Sequence, residues 1–283
     1  MANYTAEEVK RLREATGAPM MDCKNALEEA GGDYEKAKTL LREKGKAAAD
    51  KRSGRATSEG VVAFSEGHDR KHLGVAVLEC ETDFVARNED FLALAGELAE
   101  IFLHHAPGAD PMAISHGNKT VGNLIQEAVA KIRENIRLTR AEHLESPDGF
   151  VTYVYNDKKK GSAVEVSGSA KNAGEVAFKV AVQSIAFPPE FLTRDEVPKD
   201  AVDAELQVET QRAINEGKSP EVAKNIAQGR VNKEFYSSRV LMDQPYYADP
   251  KKTVSQFVQE EAKAGGGDVQ IKSVKRFAVG ENG

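Results

Sequence analysis

Apolar positions recur at helical spacing in three short runs within residues 1–45, and each run has its own punctuation. Val9, Leu12 and Thr16 share one face of a first helix. Thr5 is placed to cap it, Glu8 three residues on completes a capping box, and Gly17 ends it. A TGAPMM loop follows. Asp22 then opens a second helix with Cys23, Ala26, Leu27 and Ala30 inward, and Gly31-Gly32 stops it. Asp33 opens a third, with Ala37, Leu40 and Leu41 inward and Gly45 at its end. So short a three-helix unit has a small core and marginal stability.

Residues 46–60, KAAADKRSGRATSEG, are polar and weakly periodic. Lys46, Lys51, Arg52 and Arg55 against Asp50 make this stretch locally basic. It reads as a linker that starts helical, a solvated tether more than a phosphate-contacting arm. The period then changes. Val61, Val62 and Phe64, a turn at His68-Asp69-Arg70, and Leu73, Val75, Val77 and Leu78 give a β-hairpin. Asn88 caps a helix whose broad apolar face runs from Phe91 to Phe102, so residues 81–87 form a strand-to-helix loop. A Pro/Gly/His-rich surface loop occupies 106–118, a helix spans roughly 119–134, and Ile136 and Leu138 begin another strand.

The same grammar returns. Phe150 to Val154 and Ala163 to Val166 flank an Asn156-Asp157 turn, and a helix follows at 174–186. Two hairpin-plus-helix halves imply an internally duplicated α+β core. Identity between the halves is too low to argue descent, so the duplication is architectural. Pro188-Pro189 then break the pattern. Two helices, 198–216 and 220–242, are joined by Gly217-Lys218-Ser219, with Ser219 capping and Pro220 at the first helical position. So short a loop makes them antiparallel. Their seam of Val202, Leu206, Ile214, Val222, Ile226 and Val231 is narrow, as in a protruding hairpin. A helix from Thr253, stopped by Gly265-Gly266-Gly267, and a strand from Val269 to Val279 close the chain.

Composition narrows the function. Charged residues are 30% of the 283, the net charge is −6, Trp is absent and aromatics are 6%. A dedicated nucleic-acid binder would be strongly basic, and base stacking would need more rings. No stretch approaches the apolar length of a membrane span, and the polar N-terminus is unlike a secretory signal. Cys23 and Cys80 lie far apart without CxxC spacing, so a reducing cytoplasm is the expected setting.

Chemistry is hard to find. The six histidines make no metal-ligand spacing, and no phosphate-cradling or nucleophile motif is present. The chain is therefore read as a non-enzyme without cofactor or metal. His104-His105 suit a surface or packing role. Asp83 and Asp90 offer a carboxylate pair, but Asp90 is better explained as a first-turn residue favoured by the helix dipole. The remaining anomaly is TDFVAR, residues 82–87, which sets Phe84 and Val85 among polar residues in a loop. Either Phe84 staples the loop onto the next helix, or the loop carries function.

Two long strings bear on that choice: TGAPMMDCKNAL at 16–27 and CETDFVARNEDF at 80–91. Four more follow in order: KIRENIRLTR (131–140), PPEFLTRDEV (188–197), GKSPEVAKNIAQGRVNKEF (217–235) and FAVGEN (277–282). Together they resemble the elongation factor Ts family over nearly the whole chain. The resemblance implies a ubiquitin-associated-like three-helix domain at 1–45 and a linker at 46–60. It implies core halves at 61–145 and 146–187, a helical hairpin at 188–244, and a return to the core at 245–283. It implies elongation factor Tu as partner and exchange of that partner's GDP for GTP in translation elongation. Thr82, Asp83, Phe84 and Val85 would then enter the partner's GTPase domain and dislodge its Mg²⁺, with Phe84 as the wedge. Lys10, Arg13, Met20 and Met21 would grip a helix of that domain. Pro19 stands where the family often has glycine, which stiffens the loop before Met20. The sequence stops at Gly283, where some members continue into a further helix, so no residues are carried over for that contact. The competing readings are a helix-capturing module without exchange activity, and an enzyme using Asp83 or Asp90 as general base.

Overall fold

The computed structural model describes residues 3–281; of these, the side chains of Lys46, Ala48, Ala49 and Asp50 are excepted. The Lys46 and Asp50 charges of the linker and Asn282 of FAVGEN therefore lie outside the described residues. The chain divides into two compact units. The first runs to Glu145 and takes in Asn156–Lys160 and the segment from Phe277. The second holds Ser146–Tyr155 and Gly161–Arg276. Among the described residues no helix is long and apolar enough to cross a membrane.

The first unit opens with α1 (Ala6–Thr16), α2 (Met20–Glu29) and α3 (Tyr34–Arg52). The Thr5/Glu8 capping box forms, and Gly17 closes α1 at φ 66°, where a side chain would be strained. Val9, Leu12, Cys23, Ala26, Leu27, Ala30 and Ala37 make the small core. Two expectations are corrected. Asp22 does not cap α2; the helix begins at Met20 behind Pro19, which has extended backbone (ψ 147°) and makes no side-chain cap hydrogen bond. Gly45 does not end α3, which continues to Arg52. A Cβ on Gly45 would sit 3.0 Å from the Ala130 methyl, so this glycine marks a close helix crossing.

Next come β1 (Glu59–Glu66), β2 (His72–Cys80), a single turn α4 (Asp83–Ala86), α5 (Glu89–His104), a 3₁₀ turn at Pro111–Ala113 and the two-residue strands β3 (Ser115–His116) and β4 (Lys119–Thr120). Then α6 (Val121–Ile132) and β5 (Arg137–Glu145) complete the half. The sheet order is β1-β2-β5, antiparallel throughout. Phe91, Leu98, Ile101 and Phe102 of α5 and Val121, Ile125 and Val129 of α6 bury against Val61, Ala76 and Leu78. Gly74 permits that packing, because a Cβ there would lie 2.0 Å from the Ala99 carbonyl oxygen.

The second unit repeats the plan with β6 (Phe150–Val154), β7 (Lys160–Ser167) and α7 (Ala173–Ala186). The helical pair α8 (Lys199–Asn215) and α9 (Pro220–Arg230) follows. A π-helical turn (Val231–Phe235) and α10 (Tyr236–Arg239) extend α9, so the returning segment is not the single helix to 242 that the pattern suggests. A 3₁₀ turn (Leu241–Asp243), β8 (Pro245–Tyr246), β9 (Asp249–Thr253), α11 (Val254–Ala264) and β10 (Gln270–Ala278) finish it, with sheet order β10-β7-β6. The α+β class, the three-helix start and the duplicated small sheets all agree with the sequence reading.

The seam between α8 and α9 differs in composition. Ala213, Ala223, Ala227 and Val231 are fully buried, while Ile214 and Val222 face solvent. Small side chains let two helices approach closely, so alanines serve where larger apolar residues were expected. Glu209 is buried there too, satisfied by Arg230 at 3.1 Å and Arg212 at 3.2 Å. Ser219 occupies the cap position, but its side chain makes no cap hydrogen bond.

Candidate functional site

TDFV is not an irregular loop. It is one helical turn, and it is built to stay where it is. Thr82 holds extended backbone (φ −126°, ψ 155°) and its hydroxyl accepts from the Val85 N–H at 3.4 Å. The same hydroxyl donates to Glu134 Oε1 at 2.6 Å. Glu134 Oε2 accepts from the backbone N–H groups of Glu81 and Thr82, each at 3.0 Å. One carboxylate thus takes three hydrogen bonds from the base of the turn, and bonds to a charged acceptor are the stronger kind.

The four residues then divide by role. Val85 is half-buried against the core cluster and Ala86 is buried, so they seat the turn. Asp83 pairs with Arg87 at 3.1 Å on an exposed surface, worth little in stability. Phe84 is 82% exposed. The reading in which Phe84 staples the turn onto the next helix is therefore corrected; Val85 does that. An exposed phenyl ring leaves about 1.5–3 kcal/mol of burial unrealised. A rigid mount under an exposed ring is what an insertion into another surface needs.

The last turn of α6 and the segment after it emerge as a hub that no spacing argument singled out, though it lies within KIRENIRLTR. Lys131 pairs with Asp90 at 2.8 Å. Arg133, left-handed at φ 70° as the α6 cap, pairs with Asp22 in the first turn of α2. Glu134 holds Thr82 as described. The Asn135 N–H donates to Glu81 Oε1 at 2.7 Å, and its Nδ2 donates to the carbonyl oxygens of Ser53 at 3.3 Å and Arg55 at 2.7 Å. Arg55 also reaches Glu81 at 3.4 Å, so its charge is engaged within the fold. Asp90 has an ion-pair partner as well as its first-turn position.

Met20 and Met21 are not loop residues; they form the head of α2, 43% and 60% exposed. Asp22 beside them is the residue tied to Arg133. Lys10 and Arg13 are exposed on α1, one turn apart, with Lys10 near Glu14 at 3.9 Å. The structure therefore ties the head of α2 and the TDFV turn to adjacent residues, Arg133 and Glu134. Among the described residues no hydrogen bond or ion pair joins Lys10 or Arg13 to Arg133 or Glu134. Cys80, next to the turn, is fully buried and its Sγ donates to the Thr82 carbonyl oxygen at 3.3 Å. Burial pushes its thiol up to about 12, so it is no nucleophile at neutral pH. Neither Asp83 nor Asp90 has the partner set or burial of a general base.

Comparison with known proteins bears on the whole chain. The family model described as Elongation factor TS matches residues 81–281. The protein named Elongation factor Ts from Aquifex aeolicus is 38% identical over 97% of this chain and 97% of its own length. The Symbiobacterium thermophilum protein of the same name is 37% identical over 99% of this chain and 93% of its own. That of Clostridioides difficile is 38% identical over 99% and 94%. With the three-helix start, the duplicated core and the TDFV turn in place, this coverage shows that the chain belongs to the elongation factor Ts family.

Proposed function

We propose that the chain is a guanine nucleotide exchange factor. It binds elongation factor Tu carrying GDP, promotes GDP release and GTP reloading, and does so in the cytoplasm without catalysing a chemical reaction. The observation that carries this reading is Phe84, an exposed aromatic on a turn whose base is fixed by a carboxylate and a hydrophobic anchor. In the bound state Phe84 inserts beside the partner's Mg²⁺ site, and Asp83 accepts hydrogen bonds from backbone groups freed there. Mg²⁺ offsets the charge of the nucleotide phosphates, so disturbing its site weakens nucleotide binding. Lys10, Arg13, Met20 and Met21 take the partner's helix, with thioethers suited to an adaptable apolar contact. In this division residues 1–45 grip, 46–60 connect, 61–145 and 146–187 with 245–283 form the core, and 188–244 form an additional arm.

Linkage supplies the cycle. A factor that binds the nucleotide-free partner more tightly than the loaded one is expelled by nucleotide to the same degree. The test is release of a fluorescent GDP analogue from purified elongation factor Tu, with wild type and with Phe84→Ala. Acceleration by wild type and weak acceleration by the variant support both exchange and wedge. Association without accelerated release would replace this reading with that of a helix-capturing module.

A further inference from the structure

At the end of β2 opposite to TDFV, the β2–β5 pairing assembles side chains of a different chemistry. His72 lies directly opposite Glu145 in the antiparallel register, and His143 lies opposite Gly74, two positions from Glu145 on the same strand. Two-residue spacing puts His143 and Glu145 on one face, and cross-strand pairing brings His72 to them. One ligand atom from each of the three lies within 4.8 Å of the others.

The geometry points to a binding site for a borderline transition-metal dication of the Zn²⁺ type, held by His72, His143 and Glu145. His143 is already set as a ligand. Its Nδ1 lies 2.8 Å from the carbonyl oxygen of Phe102 on α5, and a carbonyl only accepts, so Nδ1 carries the hydrogen. In the neutral ring the lone pair is then on Nε2. A ligating histidine held through its other nitrogen by a backbone carbonyl is the usual outer-shell arrangement, fixing both tautomer and ring orientation. That Nε2 lies 3.0 Å from Glu145 Oε1. A cation between the two, a proton or a metal ion, satisfies both. His72 Nδ1 is 4.0 Å from the same carboxylate oxygen. Tetrahedral zinc with bonds of about 2.0–2.2 Å needs ligand atoms roughly 3.3–3.6 Å apart. Rotation of the exposed His72 and Glu145 side chains closes the difference while His143 stays fixed. Two imidazoles and a carboxylate match zinc better than Mg²⁺ or Ca²⁺, which take oxygen ligands. His68, Asp69 and His104 line the same concavity, leaving room for a water or a further ligand at the fourth position. A bound ion would clamp the β2–β5 pair to the carbonyl end of α5.

The test uses the full chain, freed of metal with a chelator, and titrates in Co²⁺ and then Zn²⁺. One equivalent of Co²⁺ should give the visible absorption of a tetrahedral site, and Zn²⁺ should displace it and raise the Tm. His72→Ala changes an exposed side chain and should weaken Zn²⁺ binding at least about tenfold without altering the metal-free Tm. Glu145→Gln should do the same. His116→Ala, at a histidine paired elsewhere with Glu97, should leave binding unchanged. Absence of the Co²⁺ band and of any Zn²⁺-dependent Tm rise in wild type would overturn the site. So would binding that survives His72→Ala and Glu145→Gln, or that is lost with His116→Ala.

Discussion

The two halves of the core share a plan and differ at the place where the first half carries its exposed ring. Each half runs hairpin, helix, 3₁₀ turn, short strand pair, capped helix and returning strand, and in the second half the α8–α10 segment is inserted after the first helix. The capped helices match in detail. KTVGNLIQE (119–127) and KTVSQFVQE (252–260) have the same threonine cap and capping box, through Thr120 with Asn123 and Thr253 with Gln256. Each also places its lysine against the glutamate eight residues on, Lys119 with Glu127 and Lys252 with Glu260. The strand-to-helix links also align, with Ala86-Arg87-Asn88 answering Ala170-Lys171-Asn172 at the heads of α5 and α7. Two residues before each alanine the halves part. The first half has Phe84, 82% exposed on a capped turn. The second has Gly168 at φ 140°, where a Cβ would lie 2.1 Å from the Asp268 carbonyl oxygen. One scaffold thus presents a side chain on one copy and closes the equivalent position with backbone on the other. The plan is shared; the candidate site is local to one link.

The sharpest way to probe this contrast is Phe84→Ala. If insertion of the ring drives exchange, loss of about 1.5–3 kcal/mol of burial in the complex should slow GDP release roughly ten- to hundredfold, with the Tm of the free chain unchanged. A stopped-flow assay with labelled GDP measures the first and calorimetry the second; an unchanged release rate would reduce the ring to an incidental feature. Gly168→Ala tests the other copy. Strain and backbone crowding should cost about 1–3 kcal/mol of stability in denaturant unfolding, while folded protein keeps its exchange rate. A loss of exchange without a loss of stability would mean that the second link is also a contact.

A smaller effect is expected at the mount. Glu134→Gln removes a charged acceptor from three hydrogen bonds, worth about 1.5–3 kcal/mol at most. It should reduce exchange severalfold by loosening the turn. Combined with Phe84→Ala it should add little, because both act through one ring; full additivity would separate the two. The smallest effect concerns the shared caps. Thr120→Ala and Thr253→Ala should each cost about 1 kcal/mol in unfolding. Equal losses support the repeat, and markedly unequal ones would show that the two helices bear different loads.

Much of this was legible in residue order. Caps such as Thr5, Asn88 and Thr253 and stops such as Gly17 and Gly31 act on backbone groups a few residues away, so local sequence identifies them. The two hairpins and the α5 face followed from period alone. Less visible were features that depend on distant partners. Gly45 looks like a helix stop and is a close crossing with Ala130. The α8–α9 seam is made by Ala213, Ala223 and Ala227, which carry little weight in a hydrophobic pattern. The KTV repeat is short enough to escape notice until the elements on either side are matched.

The candidate functional residues divide the same way. Residue order drew attention to Thr82 to Val85, because an apolar pair in a polar loop is a local signal, while Lys10, Arg13, Met20 and Met21 came from the family resemblance alone. Which residue of TDFV is anchored and which is presented depended on the fold, since burial of Val85 and exposure of Phe84 are set by the α5 core beneath them. Glu134 reaches Thr82 across 52 residues, Arg133 reaches Asp22 across 111, and His72 meets Glu145 only through strand register. Local order settles secondary structure because caps and periodicity work over one or two turns. Packing and charge pairing act between segments far apart in the chain, so the three-dimensional arrangement alone decided the mount beneath the ring and the grouping of the histidines.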